Sequence, residues 1–202
     1  MDAQLQHTRN QAVKRGPAVA LVDEEPDADL VARVASGDMP ALGMLYDRHR
    51  AAVLRFAARA SGNLHDADDL THATFLTAAK VAAKYDGRIS CRPWLIGIAA
   101  RTLSHRRRGS ARLANFLERL GRMTDSGADD VPASLLARSD RSRLQSALSK
   151  LSDAKRVVLI MFEVEGMSGE EIALALAIPV GTVWTRLHAA RRELRAMMEP
   201  ER

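Results

Sequence analysis

The sequence predicts an all-α protein: two small helical domains joined by a flexible linker, the C-terminal one a helix-turn-helix. Three observations predict it. Apolar residues recur at i, i+3, i+4 and i+7 in several stretches, and no alternating strand pattern occurs. Aromatics make up only 4% of 202 residues, so the core must come from Ala, Leu, Val, Ile and Met; Ala and Leu are the best helix formers. The periodic stretches form two blocks, 27–108 and 141–202. Between them, residues 109–140 are weakly periodic and carry Gly121, Gly127 and Pro132, which reads as a linker.

Met1 to Pro26 lacks sustained periodicity and reads as a flexible tail. Leu30, Val31 and Val34 begin the first helix, which Gly37 breaks. Pro40 suits the first turn of the second, where its missing N–H has no intrahelical partner; that helix should end near Gly62. Asp66, Asp68 and Asp69 sit where a helix N-terminus favours negative charge. Phe75, Ala78, Ala79 and Ala82 follow as one apolar stripe. Tyr85 to Arg92 reads as a loop around Gly87. Pro93 opens a helix to about Arg108, with Leu95, Ile98 and Ala99 inward and Arg101, His105 and Arg108 as a basic stripe. A short separate helix over Leu113 to Leu120 is compatible with the linker. In the second block, Leu144, Ala147, Leu148 and Leu151 form another stripe, and Ser152 can cap the helix that follows. Gly166 stops that helix. Ser168 and Glu171 make a capping box, in which hydroxyl and carboxylate each satisfy the other residue's backbone N–H. Ile178 to Gly181 is a tight turn, and Thr182 caps a last helix to about Met198.

Composition excludes several classes. No stretch reaches ~18 apolar residues, so no membrane-spanning helix is expected. The apolar run Pro17 to Val22 is too short, and too soon followed by acids, for a secretory signal. One cysteine, Cys91, rules out an intrachain disulfide and a Cys-rich zinc site, and a reducing cytoplasm is the natural home. Net charge is +5, and charge is segregated: Arg88 to Arg112 holds seven arginines and no acid, whereas Asp23 to Asp29 holds five acids and no base. Such a basic segment either meets a polyanion or is simply a solvated face. No Ser–His–Asp pattern, phosphate-cradling glycine loop or metal-spaced cluster points to an enzyme, a cofactor or a metal. His65 and His72 read as ordinary histidines. Cys91 reads as a small buried hydrophobe; a weaker alternative is a redox thiol whose pKa Arg88 and Arg92 lower.

The strongest signal is a short helix, a tight turn and a longer basic helix. In the last helix Val183, Leu187, Ala190 and Leu194 should pack inward. Trp184, His188, Arg191 and Arg195 recur a quarter-turn away, with Arg192 beyond. A major-groove helix needs this division, apolar residues seating it while cations reach phosphates and base edges. The rival reading is an amphipathic terminal helix with a solvated arginine face.

Leu151-Ser152-Asp153-Ala154-Lys155-Arg156-Val157-Val158-Leu159, Glu165-Gly166-Met167-Ser168-Gly169-Glu170-Glu171-Ile172-Ala173 and Ile178-Pro179-Val180-Gly181-Thr182-Val183 resemble region four of bacterial sigma factors, most of all the extracytoplasmic-function group. Ala41-Leu42 to Leu45-Tyr46-Asp47-Arg48, Asp66-Ala67-Asp68-Asp69-Leu70 with Thr74-Phe75-Leu76, and Arg92-Pro93-Trp94-Leu95 with Ile98-Ala99 and Arg101 resemble region two. The resemblance implies an alternative sigma factor that binds RNA polymerase core and directs promoter recognition, region four reading the minus-thirty-five element and region two capturing the opened minus-ten element. It implies core-polymerase contacts at Asp66, Asp68, Asp69, His72, Ala73 and Leu76. It implies DNA contacts at Lys84, Tyr85, Arg88, Arg92, Arg101, His105 and Arg108 in the first block, and at Thr182, Trp184, Thr185, Arg186, His188, Arg191 and Arg192 in the second. Trp94 beside the basic loop either stacks an unpaired base or packs in the core.

The resemblance also implies an anti-sigma partner and no membrane insertion of the chain itself. Departures from the family pattern are Thr71-His72-Ala73, which lacks an expected acid, Cys91 for an aromatic, Thr102 for Asn, Arg106 for Asp, Trp184 for a basic residue and Ala189 for Arg. The last two remove cations worth about 1–3 kcal/mol each if they read bases, so an unusual promoter or weak autonomous binding follows. Two other readings remain: a helix-turn-helix regulator that never enters polymerase, and a sigma mimic that titrates an anti-sigma protein. The acidic tail before Asp29 is placed to shield the basic faces.

Overall fold

The computed structural model describes residues 25–62, 64–119 and 137–198. Every regular element among them is helical: α1 (Asp27–Ala35), α2 (Met39–Ser61), α3 (Leu64–Val81), a 3₁₀ turn (Ala82–Lys84), α4 (Cys91–Arg119), α5 (Ala137–Lys150), α6 (Asp153–Glu163), α7 (Gly169–Leu176) and α8 (Val180–Met198). No single described helix is long and apolar enough to cross a membrane.

Local chemistry explains most of the boundaries. The Asp38 carboxylate accepts from the Ala41 backbone N–H at 3.2 Å and caps α2, while Pro40 occupies the first turn. Gly62 ends α2 at φ 86°, a conformation that L side chains resist. The capping box at α7 forms, with Ser168 N to Glu171 Oε2 at 2.8 Å and Glu171 N to Ser168 Oγ at 3.1 Å. Ser152 stands at the N-cap of α6 but makes no capping hydrogen bond; Asp153 supplies negative charge to that first turn and pairs with Arg107 and Arg156.

Three expectations are corrected. The helix expected from Pro93 to Arg108 begins at Cys91 and runs without a break to Arg119, absorbing the separate helix expected over Leu113 to Leu120. Gly109 interrupts nothing, because one glycine costs only about 1 kcal/mol in a helix; Ser110 Oγ and Arg112 Nε bond back to the carbonyls of Arg106 and Arg108. The supposed linker is therefore helical at both ends, since α5 starts at Ala137; residues 120–136 lie outside the described residues. Thr182 is inside the first turn of α8, which starts at Val180, and is not its cap.

The first bundle packs α2 on α3 and α4, with α1 across α2. Leu30, Phe56, Leu70, Leu95, Ile96 and Ile98 are fully buried there. In the second, α6 and α7 pack on α8 through Ile160, Met161, Ile172, Val183 and Leu187. The two bundles touch. Helix α7 crosses α4, and α6 reaches α2. At the crossing Gly97 is required: a Cβ there would lie 2.5 Å from the Ala175 carbonyl oxygen.

Candidate nucleic-acid and polymerase interfaces

Helix α3 separates its residues cleanly. Ala67, Leu70, Thr71, Thr74, Phe75 and Ala78 face the core. Thr71 and Thr74 satisfy their hydroxyls by donating to the carbonyls of Ala67 and Leu70, both at 2.7 Å. Asp66, Asp68, Asp69, His72 and Leu76 are exposed, with Ala73 half-buried. Asp69, His72, Ala73 and Leu76 stand at i, i+3, i+4 and i+7, one outward face on which Leu76 is 60% exposed. Thr71, the first of the three departing residues, points inward and leaves that face unaltered. His72 is held by Tyr46: the rings stack with centroids 6.0 Å apart, and Tyr46 Oη is 3.3 Å from His72 Nε2. His72 Nδ1 lies 3.0 Å from the Asp68 carbonyl, so it is a positioned surface residue.

The basic loop and α4 divide into exposed and occupied cations. Lys84 is exposed, as is Arg88, which folds onto Asp86 at 2.5 Å. That arginine also holds the Asp86 carboxyl below its ordinary value, chiefly through hydrogen bonds from the Arg88 backbone and side chain. Tyr85 is half-buried; its hydroxyl donates to the Ile89 carbonyl at 2.7 Å and its ring lies 4.9 Å from Trp94. Trp94 is itself half-buried against the core, which matches neither a free stacking platform nor full burial.

Arg92 and Arg101, both expected to touch DNA, are instead engaged by the second bundle. Arg92 Nη2 donates to Glu165 Oε2 at 2.6 Å, and Glu165 is only 2% exposed at its side chain. Arg59 approaches the other carboxylate oxygen at 3.5 Å. Arg101 donates to the Ala175 carbonyl, and desolvation at that contact holds its pKa below the ordinary guanidinium value, although the residue as a whole stays exposed. Arg107 adds a further tie, bonding Asp153 and also the carbonyls of Ala60 (3.2 Å) and Ser61 (3.1 Å) at the C-terminus of α2, where a cation is favoured. His105 and Arg108 are exposed on the rim of a cleft between the bundles that Arg186 lines from the other side. Arg186 therefore belongs to this cleft and not to the outer face of α8.

On α8, Val183, Leu187 and Ala190 are buried as expected, and Leu194 is half-buried. Trp184, Thr185, His188, Arg191, Arg192 and Arg195 are exposed; Thr182 is intermediate. Trp184 is 45% exposed, because one side of its indole is seated. It meets Phe162 edge-on at 5.6 Å and rests over Gly169, where a Cβ would come within 2.5 Å of the ring. Arg191 pairs with Glu163 at 2.6 Å and covers the Phe162 ring at 5.3 Å. The turn before α8 contains Ala177 at φ 55°, a strained conformation for a residue with a side chain.

Sequence reasoning missed Glu165 and Gly97, whose partners lie far along the chain and leave no local spacing signal, and it missed the distant Arg107 partner of Asp153, whose other partner is the nearby Arg156. It also missed the setting of Cys91. The thiol is 1% exposed. Burial, with the Asp27 carboxylate beside it, pushes its pKa up from 9.0 to about 12, against an opposing pull from Arg48. Arg88 and Arg92 are committed to Asp86 and Glu165, so the activated redox thiol is not what forms. Among the acids near the tail, Glu25 pairs with Arg33, and Asp27 with Arg48 and His49; residues 1–24, which hold most of the tail expected to shield the basic faces, lie outside the described residues.

Residues 45–113 match the model of Sigma-70 region 2, and residues 141–194 that of Sigma-70, region 4. The ECF RNA polymerase sigma factor SigE of Mycolicibacterium smegmatis is 34% identical over 168 residues, 80% of this chain; the match spans 64% of that longer protein. The RNA polymerase sigma factor CnrH of Cupriavidus metallidurans is 33% identical over 187 residues, covering 88% of this chain and 97% of CnrH. The solved structure of CnrH with the cytosolic domain of CnrY aligns at a TM-score of 0.57 and 30% identity, covering 86% of this chain and 97% of that one. Bartonella quintana RpoE, solved with the anti-sigma factor NepR, shares the fold at a TM-score of 0.62 and 23% identity, covering 79% and 98%.

Proposed function

This chain belongs to the sigma-70 family, in its extracytoplasmic-function group, and from that premise we propose how its two bundles divide the work of binding RNA polymerase core and directing it to promoters. The first bundle docks on core through the outward face of α3, with Asp69, His72 and Leu76 at its centre and Asp66, Asp68 and Ala73 beside them. Lys84, Tyr85, Arg88, Arg92 and Arg101 then engage the opened minus-ten strand, with His105 and Arg108 on adjacent duplex phosphates. Helix α8 enters the major groove at the minus-thirty-five element through Trp184, Thr185, His188, Arg191 and Arg192, with Thr182 at its entry.

One observation carries this reading. In the closed arrangement α3 keeps its outward face free, while Arg92 and Arg101 are held by Glu165 and Ala175. Polymerase docking and DNA engagement are therefore separable events, and the bundles must part before region two can use both arginines. Residues 27–108 and 141–202 act as the two working domains, and the segment between them must let them separate. The chain acts by binding and positioning and not by chemistry of its own, in the cytoplasm where polymerase works. We assign it an anti-sigma partner of the kind that holds RpoE in its solved complex, one that stabilises the closed pair.

The experiment is transcription with purified core polymerase on genomic promoter fragments, with mapping of transcript starts. Defined starts that require the chain are expected. The Asp69→Ala, His72→Ala double variant should lose core association while keeping its helix content. Normal core binding by that variant would refute the placement on α3.

A further inference from the structure

Three metal-binding side chains meet beneath the first bundle. Asp27 opens α1, His49 lies in the middle of α2, and Cys91 is the first residue of α4. One donor atom from each lies within 4.8 Å of the other two. Asp27 Oδ2 and His49 Nε2 are already 2.8 Å apart. The other carboxylate oxygen, Oδ1, is held at 2.5 Å by Arg48 Nη1, so the carboxylate is oriented by a neighbour, as ligating carboxylates generally are. His49 and Cys91 are buried, while Asp27 is partly exposed and leaves a route to solvent.

The bland account is an aspartate–histidine hydrogen bond beside a small apolar thiol. It explains the pair but not the convergence of a nitrogen, an oxygen and a sulfur donor, which is the ligand mixture of zinc. Tetrahedral zinc has bonds of about 2.0–2.3 Å, which set its ligand atoms about 3.3–3.6 Å apart. The Asp27–His49 contact must open by roughly half an ångström and the widest pair, no more than 4.8 Å apart, close by at most about 1.2 Å, movements within reach of side-chain torsions. We propose that Asp27, His49 and Cys91 form a three-residue site for a zinc-class divalent ion, with water in the fourth position. Binding releases the Cys91 thiol proton, and the proton on His49 Nε2 moves to Nδ1 as Nε2 takes the metal. The ion joins α1, α2 and the start of α4, one residue before Arg92. This site stands apart from the promoter reading above and does not depend on it.

Cobalt(II) is the probe. The full chain, stripped with chelator and exchanged into neutral buffer, is titrated and followed by absorption. A thiolate-to-cobalt charge-transfer band should saturate at one equivalent and disappear on adding zinc. Zinc should also raise the thermal midpoint. Cys91→Ala and His49→Gln should lose the band, Asp27→Asn should bind at least tenfold more weakly, and His65→Gln, at an exposed histidine, should match the wild type, each with helix content checked. If a buried variant does not fold, the wild-type titration and the surface-side Asp27→Asn variant still decide. Absence of the band in the wild type, its persistence in folded Cys91→Ala, or unchanged affinity in Asp27→Asn would each overturn the site.

Discussion

Replacing Gly97 by Ala is a one-methyl test of the closed arrangement. Within α4 the change is favourable, since Ala in a helix interior is better than Gly by about 1 kcal/mol. Across the crossing it is not. The new Cβ would sit 2.5 Å from the Ala175 carbonyl oxygen and 2.9 Å from the Ala175 Cβ. Backbone cannot yield as a flexible side chain can, so α7 must move off α4. Overpacking of this kind costs about 1–3 kcal/mol. The displaced carbonyl also accepts from Arg101, which recovers part of that loss by returning to water. A shift of about 2 kcal/mol moves the closed-to-open ratio roughly thirtyfold. Gly109 is the control: it lies in the same helix, and a Cβ there meets nothing within 4 Å. Dyes on Met39→Cys and Ser149→Cys, both exposed and one on each bundle, report the separation by energy transfer, while buried Cys91 stays unlabelled. Gly97→Ala should lower transfer and raise affinity for promoter fork DNA, with helix content retained; Gly109→Ala should do neither. Identical transfer in Gly97→Ala and wild type would refute the closed arrangement as the solution state.

Further outcomes follow from single contacts. Ser168→Ala removes the capping box and should lower the stability of the C-terminal bundle by about 1 kcal/mol, read as a lower urea midpoint at unchanged slope. Arg192→Ala should weaken duplex binding by a similar factor on every sequence and reduce the salt slope by about one, whereas Trp184→Ala should change sequence preference. Metal-free native protein should resist iodoacetamide at Cys91 at neutral pH, because the thiol is buried and its pKa lies near 12. Since that pKa is raised on folding, the associated stability is complete below the unfolded value of 9.0 and is lost as pH rises towards 12.

What could be read from the sequence was what short spacing encodes. The Ser168–Glu171 box, the Gly62 stop and the inward stripe of Val183, Leu187 and Ala190 each rest on residues within a few turns of one another. The residues from Asp69 to Leu76 were named through the family resemblance, and only the structure shows that they share one outward face. The arginines could be read as a basic stretch but not as occupied, because Arg92 finds Glu165 73 positions away and Arg101 finds Ala175 74 positions away. Helix α4 was cut short because Gly109 looks like punctuation. Asp27, His49 and Cys91 come from three different helices and match no ligand spacing, so only the packing of those helices brings them together.

The notch that Gly169 provides beneath Trp184 ties what the last helix can read to how firmly it is mounted. Exchanging the indole for another side chain alters the lettering and loosens the fixture in one step. Enlarging the glycine leaves the lettering intact but cants the whole reader. On the reading proposed for α8, a change at Trp184 therefore alters recognition and mounting together, whereas a change at Gly169 alters the mounting alone.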